Sequence, residues 1–283
     1  MAAHPELTVV LVPMTTQGDQ LMSASLATAG GKGLFVKELE QAMLEDRADL
    51  AVHSMKDVPI AQPAGLVLDS FLAGEDPRDA LVSNHHASVD ALPQGARVGT
   101  ASLRRQAQLL ALRPDLRIFP LRGNVGTRLR KLDDGRFDAI LLAAAGLHRL
   151  GLEARIREAL DVTRFVPAVA QGVIGIECRE EDSRTRALLA PLHDPASMRR
   201  LAAERAMNAE LGGACTVPVA GHALIDGGRL TLDALVASPD GQRLVRGSQS
   251  GPVSEAATIG QQLAHRLLQS GGREILQGLG ALP

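Results

Sequence analysis

"ARVGTASLRRQAQLLALRPDLRIFPLRGNVGTRLRKLDDGRFDAILLAAAGL", residues 96–147, decides the fold. Apolar runs at 96–100, 116–121 and 137–147 alternate with segments of helical spacing at 102–113 and 124–135, and the last run leads into a further helix. Thr100 or Ser102 stands where the first of these helices needs its cap. A β-α-β-α-β series predicts a parallel sheet with right-handed crossovers. In such sheets ligands bind beyond the carboxyl ends of the strands, where helix N-termini point.

The flanks extend the pattern. "LTVVLVPM" (7–14) predicts a β-branched strand, and "SLATAGGKGLF" (25–35) a Gly-rich loop into a helix at 36–47. "ADLAVHS" (48–54) predicts the next strand, closed by "MKDVP" (55–59), where Pro59 makes continuation unfavourable. The charged segment "GEDPRDA" (74–80) is a crossover, and the strand in "VPAVAQGVIGIECREED" (166–182) returns to the first sheet. From about 195 the character changes. A helix at 197–211, two alternating strands at 221–238 around a Gly-Gly turn, and a helix at 254–271 predict a small α+β unit.

With 283 residues, two or three domains are expected, each able to bury a core. Neither a secretory leader at 1–14 nor a run of roughly 18 apolar residues is evident, so a cytoplasmic location is expected. Two cysteines cannot form a disulfide framework. A net charge of −2 gives no electrostatic case for nucleic-acid binding. Of 30 cations only Lys32, Lys37, Lys56 and Lys131 are lysine. A GC-rich genome explains that bias, and so does a ligand whose carboxylates need bidentate partners.

Position favours the ligand. Arg104, Arg105 and Arg128 fall in first helical turns, where a cation opposes the helix dipole by about 0.3–1 kcal/mol, and Arg122 ends a strand at the same edge. Several guanidiniums facing one cleft require an anion between them. Lys56 and Asp57 follow a strand end toward that cleft, where a carboxylate can stabilise a developing cation or move a proton. The loop at 27–35 lacks the spacing of a phosphate loop and is read as a lid. Cys178 lies in an apolar strand as inert filling. Cys215, in "LGGACTVPVAG" (211–221), has only the isolated His222 as a metal-ligand companion and no committed base. It is either incidental or an attachment point.

Five segments, "HSMKDVP" (53–59), "GTASLRRQ" (99–106), "LRGNVGTRL" (121–129), "AAAGLHRLG" (143–151) and "AERAMNAELGGACTVPVAG" (203–221), together resemble the porphobilinogen deaminase, or hydroxymethylbilane synthase, family. The resemblance covers essentially the whole chain. It implies a transferase of tetrapyrrole biosynthesis that joins four porphobilinogen molecules head to tail with release of ammonia. It also implies a dipyrromethane cofactor, built from two substrate molecules and held by a thioether, here at Cys215. By the same resemblance Asp57 is catalytic. Lys56, Asp57, Thr100, Ser102, Arg104, Arg105, Arg122 and Gly123 hold the cofactor. Arg104, Arg128, Arg149, Phe35 and Gln171 meet the substrate, residues 21–31 form a mobile lid, and no metal is involved.

The fold so implied is α/β: two type II periplasmic-binding-protein-like domains with mixed, mainly parallel sheets, plus a small C-terminal α+β domain. Domain 1 is expected at 1–72 with 173–190, domain 2 at 78–166 and the cofactor-anchoring domain at 195–283. A cytoplasmic monomer is expected, with porphobilinogen as its small-molecule partner and neither nucleic acid nor membrane. The family's opening strand and its T-R-x-S-x-L-A motif do not precede residue 7, so domain 1 is expected to be truncated. Ala170 stands where the family has glycine, and His148 where it often has lysine. Two alternatives are an impaired, truncated family member and a non-enzymatic anion-binding protein on the same scaffold; the latter gives no role to Cys215 or Asp57.

Overall fold

In the computed structural model residues 4–20, 33, 35–213 and 217–282 are described. A single turn, α1 (Gln17–Gln20), and helix α2 (Lys37–Leu44) precede β1 (Leu50–Ser54) and β2 (Leu66–Phe71). Then follow β3 (Asp79–Val82), β4 (Arg97–Gly99), α3 (Leu103–Leu112), β5 (Arg117–Phe119), α4 (Val125–Asp133), β6 (Ala139–Ala143), α5 (Ala144–Arg149) and β7 (Ile156–Ala159). β8 (Ile174–Arg179), α6 (Ser183–Leu189) and α7 (Pro195–Glu210) lead to β9 (Val219–Asp226), β10 (Arg229–Ala237), β11 (Leu244–Pro252), α8 (Ala256–Leu267) and α9 (Arg273–Gly278).

The strands form three sheets. The central one has the order β5-β4-β6-β3-β7. β4 runs parallel to β5 and β6, as the alternation in 96–147 requires, while β3 and β7 join antiparallel to complete a mixed sheet. Leu81 and Leu141 pack with Val98, Leu109 and Phe165 on one face. On the other, Val82, Ile140 and Leu142 pack with Leu121, Leu132 and Leu147. A sheet covered on both faces needs apolar strands; β6 is apolar throughout, and β3 is so after its first residue, Asp79. Each fully buried Leu, Ile or Phe contributes about 1.5–3 kcal/mol.

β8 returns between β1 and β2, as expected, but the described pairings of this sheet are antiparallel rather than mainly parallel. Residues 7–14 form no strand, contrary to expectation: Val10 and Leu11 are 77% and 87% exposed. A β-branched run becomes a strand only where a neighbouring edge takes up its amides and carbonyls. The third sheet, β11-β10-β9, is antiparallel and packs with α7, α8 and α9 around Leu230, Leu232, Met207, Leu263 and Leu276. β9 and β10 turn at Gly227-Gly228 as expected, and β11 is an addition.

Two connections, β2 to β3 and β7 to β8, run between the first and central sheets and touch each other. The Glu75 N–H donates to the Gly172 carbonyl at 3.1 Å. Gly172 has φ +90°, and a Cβ there would lie 2.5 Å from the Glu75 oxygen, so only glycine fits. Two residues earlier Ala170 is left-handed at φ +64°, a conformation that costs a non-glycine residue roughly 1–2 kcal/mol.

Candidate functional site

The carboxyl ends of β4, β5 and β6 open into a cleft of ≈ 530 Å³. Two helices start at its wall. Ser102 caps α3, its Oγ accepting the Arg105 N–H at 3.4 Å, and Thr100 Oγ1 accepts the Ser102 N–H at 3.2 Å. Asn124 caps α4 by accepting the Thr127 N–H at 2.8 Å. Both N-termini therefore present amide dipoles to whatever enters. Gly123, with φ +110°, makes the turn between β5 and α4, and a Cβ there would meet Thr127 Cγ2 at 2.8 Å.

Across the cleft, Lys56 and Asp57 sit in the 3-10 turn that follows β1. Phe35 lines the cleft just ahead of α2. The connection to β8 brings Gln171, and the third sheet's neighbourhood brings Asn208, Val217 and Val219. Of the sequence-predicted residues the cleft thus gathers Phe35, Lys56, Asp57, Thr100, Ser102, Arg104, Arg105, Gly123, Arg128 and Gln171. Arg149 is outside the lining, its Nη2 donating to the Gly172 carbonyl at 2.7 Å, and Arg122 is also outside it. Cys215 and the expected lid at 21–31 lie outside the described residues.

The anion expected between the arginines is in part the protein's own. Asp79, fully buried at the start of β3, accepts Arg104 Nη1 at 2.7 Å and Nη2 at 3.1 Å. It also accepts Arg105 Nε at 2.8 Å and Gln171 Nε2 at 3.2 Å. Arg104 gives a further hydrogen bond to the Val166 carbonyl and Arg105 one to the Leu141 carbonyl. Burial alone would raise the Asp79 pKa; the charges of Arg104 and Arg105 outweigh it and hold the carboxyl well below the usual range. Sequence reading missed this residue, because "GEDPRDA" presents it as one of several charges on a crossover.

Arg128 is different. Its Nε donates to the Gly123 carbonyl at 2.6 Å, and no carboxylate of the described residues forms an ion pair with it. Burial, followed by the charges of Arg105 and Arg122, lowers its pKa to about 10. Lys56 is lowered to about 8, first by burial and then by Arg105 and Arg104, against the pull of Asp57 and Asp79. Among the described residues the lining holds four cations, Lys56, Arg104, Arg105 and Arg128, and one carboxylate, Asp57; with Asp79 behind Arg104 and Arg105 counted, the positive charge is still in excess. Such a cleft is built to take a ligand with several negative charges.

Cys178 is fully buried, and burial with the Asp69 charge pushes its thiol up to about 11, so it is no nucleophile. His148 is half-buried, with Nδ1 3.5 Å from Glu75. Among the described residues no group of three or more His, Cys, Asp or Glu could hold a metal, and no helix is long and apolar enough to cross a membrane.

Comparison with known proteins gives two family matches. Residues 1–187 match the model of "porphobilinogen deaminase, dipyromethane cofactor binding domain", and residues 198–269 that of "porphobilinogen deaminase, C-terminal domain". Solved structures similar to this chain include a lipoprotein from Bacillus subtilis, with 13% identity over 57% of this chain and 76% of that one, at TM-score 0.39. Another is a nutrient binding protein from Burkholderia cenocepacia bound to methionine, with 15% identity, 54% and 74% coverage and TM-score 0.38. A third is an ABC transporter periplasmic substrate-binding protein from Coxiella burnetii, with 17% identity, 56% and 77% coverage and TM-score 0.36.

Proposed function

The chain belongs to the porphobilinogen deaminase family, and from that premise we propose that it joins four porphobilinogen molecules head to tail, releasing ammonia at each step, to give hydroxymethylbilane. The observation that carries this is the charge of the cleft: Lys56, Arg104, Arg105 and Arg128 stand against Asp57 in the lining and Asp79 behind it, which leaves an excess of positive charge. Each porphobilinogen brings an acetate and a propionate, so the growing chain is a polyanion. The three sheets support a division into domains at 1–72 with 173–190, 78–166 and 195–283.

The dipyrromethane group named for the family's cofactor-binding domain has four carboxylates of its own. Arg128, without a carboxylate partner among the described residues, the amide-lined starts of α3 and α4, and Lys56 make a donor set that fits them. Lys56, Asp57, Thr100, Ser102, Arg104, Arg105 and Gly123 would hold the group, with Arg122 just outside the lining beside Gly123, and Cys215 would anchor it through a thioether. When bound, it supplies a pyrrole carbon to which the first substrate unit is joined. Arg104 and Arg128 take substrate carboxylates, Phe35 packs on a ring, and Gln171 bridges Lys56 to Asp79, while Arg149, outside the lining, holds the Gly172 carbonyl and would meet substrate only from the cleft's margin. Asp57 accepts the pyrrole N–H as positive charge develops there with the departure of ammonia, and holds that charge until the displaced ring hydrogen leaves as a proton.

Supplying the purified protein with porphobilinogen should release one ammonia per molecule consumed and yield a linear tetrapyrrole; no ammonia release overturns the proposal. The pH dependence follows from Lys56, which is charged below a pKa of about 8 and neutral above it. KM should therefore rise several-fold from about pH 7 to about pH 9. Lys56→Arg, whose guanidinium keeps its charge, should flatten that rise. A KM that does not move in the wild-type protein contradicts the role given to Lys56.

A further inference from the structure

Glu204 on α7 is buried, and no part of the mechanism above uses it. Its carboxylate is committed to two backbone amides from distant segments: Oε2 accepts the Ala170 N–H at 2.6 Å, and Oε1 accepts the Ala223 N–H of β9 at 2.8 Å. Burial pushes its pKa up to about 7, against the pull of those two amides and of Arg200, and His222 Nδ1 lies 3.8 Å from Oε1. Burying a carboxylate is costly, so what it holds is informative.

What it holds is the left-handed alanine. The Gln171 N–H donates to the Ala168 carbonyl at 3.0 Å, closing a turn with Ala170 at its third position, one ordinarily given to glycine. Gln171, the next residue, donates from Nε2 to the Pro77 carbonyl at 2.7 Å and to Asp79 Oδ1 at 3.2 Å, while its Oε1 accepts Lys56 Nζ at 3.5 Å. An unbroken path thus runs from Glu204 through Ala170 and Gln171 to Asp79 with its two arginines, and to Lys56. We propose that Glu204 is a positioning residue of the cleft, its carboxylate holding the 168–171 turn on α7 so that Gln171 sits between Asp79 and Lys56. The link to substrate rests on the function proposed above; the link to the turn does not.

Glu204→Gln tests both. Amide exchange in residues 168–173 of the folded variant should speed up by about tenfold or more, while β4 and β6 exchange as in the wild type. A general loosening would speed all three segments, and unchanged exchange at 168–173 overturns the proposal. In turnover, KM for porphobilinogen should rise by about tenfold with kcat within about twofold, and adding Gln171→Ala should cost no more than Gln171→Ala alone. Additive effects overturn the path through Gln171. Where neither wild type nor variant consumes porphobilinogen, it is the proposed function that has failed, and amide exchange alone decides the positioning role. Should Glu204→Gln not fold, Glu204→Asp, which keeps the charge one methylene short of the Ala170 amide, takes its place with the same expected outcomes.

Discussion

Asp57→Ala leaves the protein folded and its cofactor mass in place, yet lowers turnover of porphobilinogen by about 10²–10⁴-fold. Both halves follow from where the residue sits. Asp57 is exposed at the end of a 3-10 turn whose backbone closes without it, the Val58 N–H donating to the Met55 carbonyl at 3.3 Å. Removing an exposed carboxylate there should shift stability by no more than about 0.5 kcal/mol. In the proposed reaction it has no substitute, since among the described residues every other charged group lining the cleft is a cation and would repel positive charge on a pyrrole nitrogen. Asp57→Asn, which keeps the shape and removes the charge, should lose nearly as much. Steady-state turnover beside a thermal melt separates the two halves, and more than about a tenth of wild-type activity in Asp57→Ala refutes the role.

The second large effect is on stability. Asp79→Asn replaces a fully buried carboxylate by a neutral amide and strands the half-used guanidiniums of Arg104 and Arg105, both nearly buried themselves. Breaking one side of a buried ion pair costs about 3–5 kcal/mol, because the remaining charge cannot regain water. A fall in Tm of roughly 10 °C follows for a chain of this size. The variant should also hold carboxylates poorly, as both arginines lose the anchor that fixes their planes. Calorimetry decides: a change in Tm below about 2 °C would mean that the arginines do not depend on Asp79.

Much of the molecule is legible in its sequence, and the limits are physical. The β4-α3-β5-α4-β6 series was readable because local signals agree there: Ser102 and Asn124 cap, Gly123 turns, and apolar runs alternate with helical spacing. Most of the cleft follows, since strand ends and helix starts share one edge. Asp79 was not legible, because its meaning comes from arginines 25 and 26 positions away that only the sheet brings to it. Glu204 reads as one more charge on a helix until the backbone amides of Ala170 and Ala223 arrive from elsewhere in the chain. Residues 7–14 have strand composition, and composition supplies no partner edge. β11 is hidden for the opposite reason: its polar "VRGSQSG" gives no apolar alternation, although β10 pairs along its whole length.

Intact mass of the purified protein, wild type beside Cys215→Ser, tests the central claim most directly. Two pyrrole units above the mass of the bare chain, absent from Cys215→Ser, are the result expected of a thiol-anchored primer in a cleft that binds it. Bare-chain mass in both proteins, after exposure to porphobilinogen, would contradict the proposed function at its first step.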